Sequence, residues 1–188
     1  MEVWVFQFRP RLIVGEAGKR VDRLFSRSPN VYFTPFERRA VLGDLEIVCE
    51  TQIGRPRSLV AAYMFDPGND AKWTAGVISC RPLAEGRLRP GSRVERTVKF
   101  GGRVFSYEYK VTAASGDEFV EMEVHQPFPI WIRYELEEGV GGTRARIHTR
   151  GDPKGFFRLA APLMNRSVRK NISSDLSNLK AQLESAPK

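Results

Sequence analysis

From residue 45 onward, apolar and polar residues alternate in the manner typical of β-strands. In Leu45–Ile53, apolar residues recur at every second position between glutamate and glutamine, which predicts a strand with one buried face. Six further segments show similar alternation, and each is bounded by Gly, Pro, Asp or Ser. They are residues 76–83, 92–100, 103–112, 118–125, 130–137 and 143–150. The pattern therefore predicts seven strands.

The connections between most of these strands are short. Gly101-Gly102 separates two alternating segments, and a Gly-Gly pair in this position predicts a hairpin because both residues adopt positive φ readily. Residues 115–117 and 139–142 predict similar turns. Short connections favour an antiparallel meander, which leaves one apolar face in need of cover.

Helical spacing is found after the first strand and at the end of the chain. Pro56 suits the first position of a helix that ends before the turn residues 66–70, and a second short helical turn is predicted around Trp73. A long apolar stripe near the end predicts a helix that covers the sheet, with a kink at Pro162. The stripe consists of Phe156, Leu159, Leu163, Val168, Ile172, Leu176, Leu179 and Leu183.

The first 44 residues lack any sustained period. We interpret residues 1–44 as an N-terminal extension, either disordered or an artefact of the assigned start site, and residues 45–188 as the domain. No methionine other than Met1 precedes Met64, which motivates the hypothesis that translation begins at a non-Met codon near Val31 or Val41.

The charge balance permits anionic partners without identifying one. The 188 residues carry 30 Lys and Arg against 22 Asp and Glu, a net charge of +8. This excess is shared between both parts of the chain and is interpreted mostly as solvated surface. A basic surface that binds nucleic acid or an anionic membrane remains an alternative function. No specific nucleic acid is expected, because no recognisable nucleic-acid motif accompanies the arginines.

Several other classes of chemistry lack their sequence signals. Cys49 and Cys80 form neither a CxxC motif nor a zinc spacing with histidine, so no metal is predicted and a reducing, cytoplasmic compartment is favoured. His125 and His148 belong to no triad pattern. The glycines of 139–142 lack a phosphate-loop lysine, so no cofactor is predicted. No apolar run approaches the length of a transmembrane helix.

The order of elements in residues 45–188, together with several short motifs, resembles the START-like (SRPBCC) superfamily. This superfamily includes polyketide cyclases and helix-grip proteins of the birch-pollen-allergen type. The matching pieces are 58–67, Trp73, Gly76-Val77, 91–94, 134–137, 142–144 and the ending 162–180. The resemblance implies an α+β helix-grip fold: a seven-stranded antiparallel sheet curved around a long C-terminal helix, with two short helices after strand 1.

The resemblance also implies a cavity between sheet and helix that takes a lipid, polyketide or similar hydrophobic ligand. Members include carriers, sensors and aromatase/cyclases, so the fold alone does not select an activity. Ligand pockets are mostly apolar with a few placed polar groups, and strand phase together with the family layout selects candidates for the lining. The candidate ligand-binding residues are Tyr63, Trp73, Arg96, Val98, Tyr107, Tyr109, Met122, Phe128, Ile130 and Met164.

Arg96 is the candidate that most needs an explanation, because an inward guanidinium must find an acceptor. One interpretation is structural: a register shift sends it outward, or it pairs with Glu108 or Glu121. The other places it in the cavity as an anchor for a carbonyl or carboxylate of the ligand. In a polyketide cyclase or dehydratase, Arg96 would stabilise an enolate and Tyr107 or Tyr109 would relay a proton.

The sequence also argues against a dedicated acid/base pair. No inward Asp or Glu is evident, and Glu108, Glu121 and Glu123 are predicted on the solvated outer face. Binding of a hydrophobic small molecule is therefore the leading hypothesis, with the cyclase as the alternative.

Overall fold

Seven strands and three helices follow one another in the computed structural model, which describes residues 45–185 except 101, 127, 154 and 155. The side chains of residue 100 and of residues 156–162 are also outside the description. A 3-10 turn, Pro67–Asn69, lies between the first two helices. The elements are β1 (Leu45–Ile53), α1 (Arg57–Met64), α2 (Asp70–Trp73), β2 (Val77–Pro82), β3 (Arg93–Phe100), β4 (Arg103–Ser115), β5 (Phe119–Val124), β6 (Ile130–Gly139), β7 (Gly142–Gly151) and α3 (Phe156–Ser185).

The strands form one antiparallel sheet in the order β1-β7-β6-β5-β4-β3-β2. The predicted meander from β2 to β7 is confirmed, and β1 closes the far edge by pairing with β7. Tight turns make this order possible. At Gly142, which has a φ of 149°, a Cβ atom would lie 2.1 Å from the Ile53 carbonyl oxygen, so a side chain there would separate the start of β7 from the end of β1.

Helix α3 lies on the inner face of the curved sheet, as the helix-grip prediction requires. Its C-terminal half is firmly attached: Leu176, Leu179 and Leu183 are buried in the core. The end of the helix is also tied to the end of β1, because Arg55 Nε donates to the Leu183 carbonyl at 2.9 Å and the Gly54 N–H donates to Glu184 at 2.7 Å.

The first half of α3 departs from the predicted stripe. Val168 and Ile172 are half-buried, and Leu163 is 76% exposed, so the prediction that Leu163 packs on the sheet is wrong. The helix continues through Pro162, and its kink stays a prediction. The predictions for residues 1–44 lie outside the described residues. Among the residues described, no helix is long and apolar enough to cross a membrane.

The two ends of the sheet therefore differ. We call the end that holds the α2–β2 turn, the β3–β4 hairpin and the beginning of α3 the open end. We call the end that holds α1, the β6–β7 turn and the last turns of α3 the closed end.

Candidate functional site

The inner face of the sheet carries a buried charged pair. Arg96, on β3, is 5% exposed, and its guanidinium forms a salt bridge with the carboxylate of Asp70 at the start of α2. Asp70 is itself 2% exposed. Strand phase turns Arg96 inward, and α2 is short and lies close to β2, which brings the carboxylate within reach. The predicted inward direction of Arg96 is thus correct, whereas its predicted partners are wrong.

Glu108 and Glu121 pair with other arginines. Glu108 binds Arg93 on the outer face, and Glu121 accepts from Arg133 at 2.5 Å. Glu121 is only 7% exposed, so the prediction of a solvated position is wrong for this residue. The expectation that no inward carboxylate exists is also wrong, because Asp70 faces the interior.

Cys80, on β2, links the two charged groups. Arg96 Nε donates to Cys80 Sγ at 3.2 Å, and the thiol donates to Asp70 Oδ2 at 3.0 Å. Burial raises the pKa of Cys80 to about 12, so the thiol stays protonated at neutral pH and acts as a donor. Arg96, Cys80 and Asp70 thus form a closed triangle of polar contacts, which supplies hydrogen bonds to the buried carboxylate of Asp70.

Aromatic rings surround this triangle. The Arg96 guanidinium lies 4.9 Å from the centroid of the Tyr109 ring, and its charge also acts on the Tyr134 phenol, where it opposes the effect of burial on the pKa. The Tyr134 ring meets Trp73 edge-on, with 5.8 Å between centroids. Burial raises the pKa of both Tyr109 and Tyr134. Both phenols are therefore neutral hydrogen-bonding groups. Burial is the largest single influence on the pKa of Arg96 and would lower it, but the Asp70 carboxylate and the neighbouring tyrosines together raise it above its ordinary value, so the guanidinium stays charged.

Trp73 and Asp175 complete the inner boundary of this cluster. The indole Nε1 of Trp73 is buried without a hydrogen-bond partner among the described residues. Asp175, on α3, accepts from the Ala75 N–H at 2.6 Å. Burial raises the pKa of Asp175 to about 6, although the Ala75 N–H and the Arg96 charge oppose the shift.

Towards the open end, the described side chains of the inner face become progressively more exposed. Val94 and Tyr109 are fully buried, whereas Val98 and Tyr107 are half-buried and Phe105 is 43% exposed. Phe105 and Val98 are direct cross-strand neighbours. Arg96 and Tyr107 are cross-strand partners. The row of side chains that contains them therefore marks the boundary between a closed core and an accessible apolar surface.

A groove of about 530 Å³ lies beside this surface, between the α2–β2 turn, the end of β3 and the first half of α3. It is lined by Ala75, Gly76, Lys99, Leu163, Met164, Ser167 and Asn171. Gly76 has a φ of 87°, and a Cβ there would lie 2.8 Å from the Lys99 carbonyl oxygen. The groove therefore depends on a glycine where α2 leads into β2.

The structure brings only some of the predicted lining residues together. Arg96 lies over the Tyr109 ring, and Trp73 meets the Tyr134 ring edge-on. Val98, Tyr107 and Met164 lie toward the open end, and Ile130 is half-buried on the same face of β6. Met122 is 1% exposed within the core. Tyr63 lies on α1 at the closed end, and Phe128 is buried in the β5–β6 loop.

Sequence reasoning did not identify Asp70, Cys80 and Asp175 as members of this cluster. Asp70 resembles an ordinary turn residue in the sequence, and Cys80 has no motif around it. One signal was available: an arginine in the inward phase of a strand requires a carboxylate, and helix α2 immediately precedes the neighbouring strand.

A second depression, of about 830 Å³, lies at the closed end between α1, the 83–92 loop and the β4–β5 turn. Its floor includes the buried residues Ala61, Phe65 and Val120, and its rim carries Arg87 and Asp117. One edge of the depression is charged, because Arg57 forms a salt bridge with Asp117 at 3.2 Å. None of the predicted lining residues contributes to it.

The curved sheet that grips one long helix, with a polar cluster on its inner face, defines a helix-grip protein of the START-like class. Residues 45–184 match a family model described as polyketide cyclase / dehydrase and lipid transport. The chain belongs to this family. A search of curated proteins found no match.

Solved structures share the fold at low sequence identity. A START superfamily protein from Mycobacterium smegmatis is 12% identical with a TM-score of 0.64, over 74% of this chain and 97% of that one. The protein TTHA0849 from Thermus thermophilus is 15% identical with a TM-score of 0.65, over 76% and 99%. The di-domain ARO/CYC StfQ from the steffimycin biosynthetic pathway is 11% identical with a TM-score of 0.64, over 75% and 51%.

Proposed function

We propose that the domain binds a hydrophobic small molecule, a lipid, a polyketide or a compound of similar character, between the inner face of the sheet and the first half of α3. The observation that carries this proposal is the increasing exposure of the described inner-face side chains beyond Arg96. Apolar side chains that a packed core would bury, Val98 and Phe105, remain accessible beside the 530 Å³ groove. An apolar ligand would remove this surface from water.

The polar cluster would orient the ligand. A carbonyl, carboxylate or phenol at the inner end of the ligand would approach the row of Arg96 and Tyr107, while apolar parts would contact Val98, Phe105 and Met164. The Asp70 carboxylate neutralises much of the positive charge of Arg96, so a neutral hydrogen-bond acceptor is favoured over a strongly anionic group. The free thiols of Cys49 and Cys80 are consistent with a cytoplasmic location.

A cyclase or dehydratase is the second candidate, and the cluster of Arg96, Tyr107 and Tyr109 favours it. The guanidinium would donate a hydrogen bond to a ketone oxygen as an enolate forms, and a neutral phenol would donate or relay a proton. Binding without turnover is favoured over this candidate because Asp70 already forms a salt bridge with Arg96. A guanidinium neutralised in this way stabilises a developing negative charge less than a free one.

Filling the groove tests the binding site. Met164→Trp would place a large side chain in the groove without altering the buried triangle. Val140→Trp, at a fully exposed position in the β6–β7 turn at the closed end, is the matched control. We expect native mass spectrometry of freshly purified protein, followed by organic extraction, to find a bound apolar molecule in the control and at least a tenfold lower occupancy in Met164→Trp.

Equal occupancy in both variants would place the ligand elsewhere, with the 830 Å³ depression as the next site to examine. A protein that purifies without ligand and binds no apolar fluorescent probe would contradict the proposal. Incubation with a poly-β-ketone distinguishes the second candidate: a cyclised or dehydrated product that is lost in Asp70→Asn/Arg96→Met, a variant without a buried unpaired charge, would support turnover.

A further inference from the structure

Cations and exposed apolar side chains occur together at the open end of the domain. Three of the large apolar side chains that remain exposed are found here: Ile78 at 53%, Val104 at 59% and Leu163 at 76%. Lys99, Arg103 and Arg166 are exposed beside them. We call these six residues, Ile78, Lys99, Arg103, Val104, Leu163 and Arg166, the open-end patch.

The strand register and the lining of the groove place these residues around the rim of the open end. Lys99 and Val104 alternate with the inward-facing Val98 and Phe105, so they lie on the outer side of that rim, whereas Leu163 lies on α3 at its inner side. Lys99 and Val104 are direct cross-strand partners, and Arg103 precedes Val104 in the hairpin. Lys99 and Leu163 line the same groove. Ile78 lies at the bulge where β2 changes register against β3. Arg166 follows Leu163 by one turn of α3, on the same side of the helix.

The cations of the patch differ from the arginines elsewhere on the sheet. On the outer face, arginines are paired with glutamates: Arg146 with Glu50 at 3.1 Å and Arg150 with Glu46 at 3.1 Å, for example. Within the described part of the chain, Lys99, Arg103 and Arg166 have no such partner. The sequence also has no acidic residue in 71–84, 96–107 or 153–174, the three segments that supply the patch.

We propose that the open-end patch docks on an anionic lipid bilayer. Exposed apolar side chains enter the boundary between headgroups and acyl chains, while the surrounding cations are attracted to anionic headgroups. A nucleic acid would use the cations but would leave Val104 and Leu163 without apolar contacts. Docking on the same patch of a second copy of the chain would bring like charges together, since the patch contains no carboxylate. This docking is independent of whether the groove holds a ligand.

Vesicle binding by the full-length chain tests the proposal. We expect cosedimentation with vesicles of phosphatidylcholine and phosphatidylglycerol, and much weaker binding to phosphatidylcholine alone. Each cation near such a surface contributes about fivefold in affinity. The double variant Lys99→Gln/Arg103→Gln should therefore bind at least tenfold more weakly, and so should Val104→Asn/Leu163→Asn. The matched controls at the closed end, Arg89→Gln and Val140→Asn, should bind like the unaltered protein.

Fluorescence supplies a second measurement that does not depend on the loss of binding. Leu163→Trp should shift its emission to shorter wavelength when anionic vesicles are added, and Val140→Trp should not. Equal weakening by the closed-end variants would overturn the proposal. So would unchanged vesicle binding after Val104→Asn/Leu163→Asn, or binding of duplex DNA that is as tight as vesicle binding and is unaffected by those apolar substitutions.

Discussion

At the scale of single residues, the interior depends on one charged pair. A guanidinium and a carboxylate removed from water are each costly, and their attraction offsets that cost only when the remaining hydrogen-bonding positions are also satisfied. Here Cys80 provides additional bonds to both groups, because its thiol accepts from Arg96 Nε and donates to Asp70. The triangle is consequently sensitive to the loss of one partner and tolerant of the loss of both charges.

The first prediction is a difference between single and double substitutions of this pair. Arg96→Met leaves the Asp70 carboxylate buried without a cation, and we expect a loss of about 3–5 kcal/mol in the free energy of unfolding. Asp70→Asn/Arg96→Met should recover most of that loss. Urea unfolding of the three proteins measures the difference.

Arg93→Met is the control, because Arg93 pairs with Glu108 on the exposed outer face. It should cost at most about 1 kcal/mol. A double variant as unstable as Arg96→Met would show that packing of the long side chain, rather than its charge, stabilises this part of the core.

At the scale of elements, helix α3 carries a gradient of burial along its length. Leu179 has no exposed surface and Leu183 has 3%, whereas Leu163 is 76% exposed. Hydrogen bonds from Arg55 and Gly54 hold its last turns on β1. The helix therefore provides stability at its C-terminal half, whereas Leu163 in its first half is left mostly in solvent.

The second prediction compares two leucines of the same helical stripe. Leu179→Ala creates a cavity in a packed core, so we expect a loss of about 2–5 kcal/mol in the free energy of unfolding. Leu163→Ala removes a side chain that is mostly in water already and should change stability by less than about 0.5 kcal/mol. Both substitutions place the same residue in the same helix, so helix propensity cancels from the comparison. Thermal or urea denaturation measures both, and equal losses would contradict the burial gradient.

At the scale of the whole molecule, charge is distributed unevenly. The outer face of the sheet carries arginines and glutamates in pairs, including Arg144 with Glu137 and Arg133 with Glu135. These pairs cancel locally and contribute little to stability at exposed positions. The excess positive charge of the domain is thus concentrated where acidic residues are missing, which includes the open end.

The third prediction is a pH dependence of the stability of the whole domain. Burial raises the pKa of Asp175 from 3.8 to about 6. Between these values the folded protein binds more protons than the unfolded chain, so the contribution of Asp175 to stability decreases as pH rises from about 4 to about 6. Above that window, the carboxylate imposes a constant penalty on the order of 3 kcal/mol.

Asp175→Asn removes this titration and retains an oxygen that accepts from the Ala75 N–H. We expect the free energy of unfolding of Asp175→Asn to equal that of the unaltered protein at about pH 4. By about pH 7 it should exceed that of the unaltered protein by the full penalty. Urea unfolding across that range measures it, with Val140→Asn, at a fully exposed position without a titratable group, as a control that should show no such trend. A constant difference at all pH values would contradict the assignment of the titration to Asp175.

The sequence by itself determined the elements and the direction of most side chains. Period-two alternation is a local property of a half-buried strand, so the strands, the hairpin at 101–102 and the inward phase of Arg96 could be predicted without tertiary contacts. The apolar stripe of α3 could likewise be predicted from the spacing of its residues. The family match to residues 45–184 and the observed sheet order confirm the fold that these patterns and the resemblance predicted.

Only the tertiary structure decided which residues meet. Asp70 lies 26 positions from Arg96 in the chain, and nothing in its local sequence distinguishes a turn carboxylate from a buried counter-ion. The apolar stripe has the same spacing at Leu163 and at Leu179, but Leu179 is completely buried whereas Leu163 is 76% exposed. Periodicity specifies which face of an element is apolar, whereas the packing of distant elements determines how much of that face is covered.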